Sequence, residues 1–148
     1  MASLLLLLLP AGLITVFVLA GYGFGRLGRV GLRHADTTLW LRSASALLIA
    51  GAAAVYTWGL LHVAGAVVQA EDGGTNSSPM LPCRSSARAE SVIDYTVDYV
   101  PLQFVCLTSD AGRYDSRSVP GYVNPVALTL ALAGVVVGSA LALGSGEE

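Results

Sequence analysis

The chain has no lysine, and only 12% of its 148 residues are charged. A soluble domain of this length carries roughly a quarter charged residues. The eight arginines are its whole basic complement and form no tract of the kind nucleic-acid binders use, which excludes nucleic acid as a partner. Arginine without lysine also points to a GC-rich coding bias, which concerns the genome and not the activity. Histidine and cysteine are equally scarce, at two each. The sequence offers no nucleophile–base set and no metal cluster, so a non-enzymatic protein without a cofactor is expected.

What the chain has instead is apolar length. It is 54% hydrophobic with a mean hydropathy of +0.66. Residues 4–24 carry no charge, and about 20 apolar residues cross a hydrocarbon core of roughly 30 Å. A first transmembrane helix is therefore predicted over residues 1–24, with Pro10 tolerated in its opening turns. The competing reading is a cleaved signal peptide, since Val18-Leu19-Ala20 offers small residues for a peptidase. Against it, no basic residue precedes the run, and the arginines follow it.

Residues 25–42 hold Arg26, Arg29, Arg33 and Arg42 against the single acid Asp36. By the positive-inside rule this connector is cytoplasmic and its arginines lie at the membrane surface, facing anionic lipid. Gly25, Gly28 and Gly31 favour a frayed connector over a continued helix. The match of Gly23-Phe24-Gly25-Arg26-Leu27-Gly28 to a dinucleotide fingerprint is discarded, because the strand that should precede it is a membrane-length apolar run.

A second transmembrane helix is predicted over 43–70, with Trp40 and Tyr22 at the inner interface. Ala46, Ala50 and Ala54 recur at a spacing that suits close helix packing. His62 is the one ionisable group inside a span and is a candidate intramembrane polar site, for a proton or a metal, or a neutral histidine bonded to a carbonyl. His34 lies in the connector, so no bis-histidine haem site forms within one chain.

Residues 71–122 then form an extracytoplasmic loop domain carrying seven acids against four arginines. Both cysteines lie in it, and an oxidising compartment favours a Cys83–Cys106 disulfide. They are not a CxxC pair, so thiol exchange is disfavoured. Closing that segment stabilises it by roughly 3 kcal/mol on the chain-entropy model. From Ser91 to Val100 the pattern alternates, with Tyr95, Val97 and Tyr99 on one side and Asp94, Thr96 and Asp98 on the other. That predicts a half-buried strand, broken by Pro101. A second short strand follows over 102–108, then a turn at Asp110-Ala111-Gly112 and a third strand from Tyr114. The two aspartates read as a solvated strand face, and Asn76-Ser77-Ser78 fits the glycosylation sequon formally.

A third transmembrane helix is predicted over 123–143, opened by an Asn124 cap and Pro125. Gly134 and Gly138 form GxxxG, a helix-packing signal toward a neighbouring span or another copy. The tail, 144–148, is cytoplasmic. The fold class is thus membrane α-helical, with three transmembrane helices and a small disulfide-linked β-rich loop between the second and third.

The stretch Asp98-Tyr99-Val100-Pro101-Leu102-Gln103-Phe104-Val105-Cys106, followed by Val119-Pro120-Gly121-Tyr122-Val123-Asn124-Pro125 and a terminal span, resembles small uncharacterised integral membrane proteins of high-GC actinobacteria with a two-cysteine outer loop. The resemblance covers roughly the C-terminal half. It implies a plasma-membrane, multi-pass location and this fold type, and it carries over no catalytic residue. The placement of the arginines puts the N-terminus outside and the C-terminus in the cytoplasm. Two functional readings remain. One is an accessory subunit of a cell-envelope complex that binds a membrane-protein partner through the loop. The other is a small oligomeric channel or transporter component, self-associated through Gly134 and Gly138. Membrane lipids are partners in either.

Overall fold

A computed structural model describes residues 2–31, 33–72, 80–84 and 86–144. The expected sequon at Asn76 and the acidic tail lie outside the described residues. Three helices are long and apolar enough to cross a membrane: α1 (Ala2–Val30), α2 (Thr37–Asp72) and α3 (Val123–Gly144). Between α2 and α3 lies an antiparallel sheet in the order β1-β2-β3, built from Val92–Tyr99, Leu102–Thr108 and Arg113–Asp115. Short 3-10 turns at Leu81–Cys83 and Ala89–Ser91 lead into it.

The helices overrun the expected connector at both ends. α1 continues through Gly25 and Gly28 to Val30, and α2 begins at Thr37, before Arg42. Two glycines cost a helix about 1 kcal/mol each, which is outweighed where the backbone has few alternative partners. Arg26 lies over the Tyr22 ring, 4.8 Å from its centroid, one turn back on the same face. The helix ends where Gly31 turns to φ 77° and donates its N–H to the Leu27 carbonyl, 3.0 Å away, a left-handed cap suited to glycine. Only residues 31–36 separate the two helices. At its other end α2 runs on to Asp72, so Glu71 and Asp72 are helical and not part of the loop.

The chain divides into two compact units. One comprises Pro10–Thr57 with Pro125–Glu148, a packing of helices around α2. A third (33%) of the most apolar window of α2 is buried, against 6% for α1 and 11% for α3. Ala46 and Ala50 of the predicted small-residue stripe are buried, whereas Ala54 is exposed.

The other unit comprises Met1–Leu9 with Trp58–Asn124. Its core joins the sheet to the last four or so turns of α2. There Leu60, Val63, Ala66 and Val67 are buried, at the spacing of a single helix face. Opposite them lie Phe104 and Cys106, both fully buried, with Leu102 and Val97. Residues 58–70, nearly half of the predicted second span, therefore belong to this unit.

Candidate interaction surface

The sheet is a hairpin with a short third strand. Tyr99 pairs with Leu102 across the Val100–Pro101 turn, which contains a cis peptide bond. Tyr95 pairs with Cys106 and Val97 with Phe104, so the alternation read in the sequence puts these residues on one face. On it the Tyr95 ring stacks on Phe104 with centroids 5.0 Å apart. The Tyr95 hydroxyl donates to Glu71 Oε1 of α2 at 2.8 Å. Burial, then the Glu71 bond, then the negative charges of Glu71 and Asp94 push the Tyr95 phenol up to about 12. Burial also raises that of Tyr99.

Cys83 and Cys106 are bonded, with Cα atoms 6.1 Å apart and both side chains fully buried. Tyr114 of β3 pairs with Cys106 and donates its hydroxyl to the Cys83 carbonyl at 2.8 Å. The covalent tie and this hydrogen bond thus hold the 3-10 turn against the two strands.

Two further contacts had no signature in the sequence. Asn124 was expected to cap α3. Its side chain instead clamps the backbone of Leu102: Oδ1 accepts the Leu102 N–H at 2.9 Å and Nδ2 donates to the Leu102 carbonyl at 3.1 Å. An added strand would satisfy β2 with the same donor–acceptor pattern. Gly59 of α2 lies beneath this clamp. A Cβ there would come within 2.7 Å of Leu102 Cδ2 and 2.6 Å of Val123 Cγ1.

The opposite face of the sheet is polar at its edges and half-exposed, with Val105 buried at its centre. It carries Asp94, Thr96 and Asp98 on β1, Gln103, Val105 and Leu107 on β2, and Arg113 and Asp115 on β3. A shallow depression of about 250 Å³ is lined by Asp98, Gln103, Val105, Arg113, Tyr114 and Asp115. Arg113 approaches Asp98 at 3.8 Å, but both side chains are too exposed, at 63% and 43%, for the pair to add much stability. Asp94 Oδ1 instead accepts the N–H of Tyr95 at 2.8 Å. The two aspartates therefore serve separate partners.

The remaining predicted sites are dispersed. His62 Nδ1 lies 3.0 Å from the Trp58 carbonyl, which can only accept, so this nitrogen carries the proton. Its ring meets Trp58 edge-on at 4.9 Å. Among the described residues no three His, Cys, Asp or Glu side chains converge as metal ligands. Arg26 and Arg29 lie on α1, Arg33 in the turn and Arg42 on α2, all exposed. Gly134 and Gly138 face α2. A Cβ on Gly134 would come within 2.7 Å of Ile49 Cγ1, and one on Gly138 within 3.1 Å of Ser45 Oγ. That hydroxyl donates to the Gly134 carbonyl at 2.7 Å.

Comparison with models of known families, with curated proteins and with solved structures finds no match.

Proposed function

We propose that this chain is a non-enzymatic, multi-pass protein of the cell membrane and an accessory subunit of a cell-envelope complex. Its N-terminus and sheet lie outside, its C-terminus lies in the cytoplasm, and it meets a membrane-protein partner through the polar face of the sheet. The threading rests on charge: residues 25–42 carry four arginines against one acid, and 71–122 carry seven acids against four arginines. The observation that carries the partner reading is the division of the sheet into two faces. One is spent on Phe104, the disulfide and α2. The other presents Thr96, Asp98, Gln103 and Arg113 with one weak ion pair between them. A rigid polar surface held by a covalent tie is suited to recognition.

An oligomeric channel built through Gly134 and Gly138 is the weaker reading, because both glycines are occupied by α2 of the same chain. The two readings separate on protein solubilised from native membranes. A distinct membrane protein should co-purify with the wild type. It should be lost from a Thr96→Arg/Gln103→Arg variant whose disulfide and protease resistance are intact. Self-assembly of defined stoichiometry with ion flux in liposomes would favour the channel instead.

A further inference from the structure

Within the unit formed by Pro10–Thr57 and Pro125–Glu148, the start of α2 and the end of α3 leave a groove between them. Arg42 and Ser45 line it from α2, and Gly138, Leu141 and Ala142 from α3, around a volume of about 390 Å³. Ligand sites begin at roughly 300 Å³. The two helices come close at its inner end, where a Cβ on Gly138 would lie 3.1 Å from Ser45 Oγ. That hydroxyl gives its proton to the Gly134 carbonyl, so it offers the groove lone pairs and no donor. α2 begins at Thr37 and α3 ends at Gly144, so the groove opens at the ends of two helices of membrane-crossing length and composition. Trp40, 44% exposed and two residues before Arg42, is of the type that collects where hydrocarbon meets water.

The lining is divided by chemistry. The side chains of Leu141 and Ala142, with the bare Gly138, make an apolar wall without donor or acceptor. The single charge is Arg42, which is exposed and has no hydrogen bond or ion pair among the described residues. Arg26, by contrast, already lies over the Tyr22 ring. A guanidinium grips a phosphate bidentately, whereas the wall suits a hydrocarbon chain. A soluble anion would engage the arginine and leave the wall bare, and a zwitterionic lipid would bring a second cation beside Arg42. An anionic phospholipid satisfies both parts, and basic pockets between membrane helices bind such headgroups.

We propose that this groove holds one anionic phospholipid, its phosphate on Arg42 and an acyl chain running from Ala142 inward past Gly138. This differs from a diffuse attraction of the arginine-rich turn to an anionic surface, because it selects one arginine of four and requires the apolar wall beside it. It rests on the reading of the three helices as membrane spans. It is independent of the partner assigned to the sheet and of which side of the membrane the groove faces.

The test titrates the full chain, in mild detergent, with dioleoyl phosphatidylglycerol or dioleoyl phosphatidylcholine and counts bound lipid by native mass spectrometry. The wild type should retain one phosphatidylglycerol, several-fold more tightly than phosphatidylcholine. Arg42→Gln should weaken that binding by about fivefold or more, the factor for one basic residue at an anionic surface. Ala142→Phe, which fills the groove and keeps the charge, should weaken it as well. Arg29→Gln, the same loss of charge outside the groove, should leave it nearly unchanged. Equal losses from Arg42→Gln and Arg29→Gln would overturn the site in favour of diffuse surface charge. Full retention by Ala142→Phe, or displacement of the lipid by millimolar inorganic phosphate, would overturn the acyl-chain contact and with it the proposal. Binding that appears only in a chain lacking Glu147 and Glu148 would make the acidic tail the occupant instead. A chain that alkaline carbonate strips from native membranes would bring down the spanning reading and this proposal together. A carbonate-resistant chain without lipid selectivity would overturn the lipid site alone.

Discussion

Tyr95 lays its ring on Phe104 and donates its hydroxyl proton to Glu71, so a single side chain ties the sheet to α2. Its phenol is raised to about 12 from the ordinary 10.0, which makes a signed prediction. The stability it contributes is complete below pH 10 and is lost as pH rises from 10 through about 12, because the unfolded loop ionises first. Unfolding followed across that window should show the loss in the wild type and less of it in Tyr95→Phe. At neutral pH that substitution should cost about 1 kcal/mol, the usual net value of one hydrogen bond. The disulfide is worth more. Cys83→Ser or Cys106→Ser should remove roughly 3 kcal/mol from the loop. Limited proteolysis should then cut between residues 80 and 122 while membrane insertion is unchanged. Equal protease resistance with and without the bond would mean that packing alone holds the loop.

The elements were legible to unequal degrees. Three apolar runs separated by charge announced three helices, and the alternation from Asp94 to Tyr99 announced β1 together with the face it buries. Helix ends were misjudged because hydropathy reports which residues lipid would accept, whereas helix length is set by backbone hydrogen bonds and caps. Arg26 and Arg29 therefore read as loop but lie on α1. The docking of the sheet was hidden for another reason. Gly59 meets Leu102, Glu71 meets Tyr95 and Leu102 meets Asn124, each across more than 20 residues of chain and with no local pattern. A glycine in an alanine-rich helix looks incidental, and Asn-Pro reads equally well as a helix cap. The contacts can be tested directly. Gly59→Leu should displace Leu102 and Val123 and expose the loop to protease, whereas Gly65→Leu, with open space around it, should be neutral. Asn124→Leu should cost about 1–3 kcal/mol by leaving the Leu102 N–H unsatisfied. Asn124→Asp keeps the acceptor and should cost less.

The whole molecule combines an arginine-rich turn, a disulfide-tied sheet and three helices of spanning length. A disulfide forms and persists in an oxidising compartment, and arginine resists translocation out of the cytoplasm. The two rules agree only if the sheet is outside and the turn is inside. A cleaved first segment would undo that agreement, and intact mass would show it as a mature N-terminus near Gly21. The most direct measurement is a set of reporter fusions at Gly31, Gly74 and Glu148 in living cells. The account predicts cytoplasmic, external and cytoplasmic readings in that order. An external Gly31 with an internal Gly74 would contradict it and leave Cys83 and Cys106 in a reducing compartment.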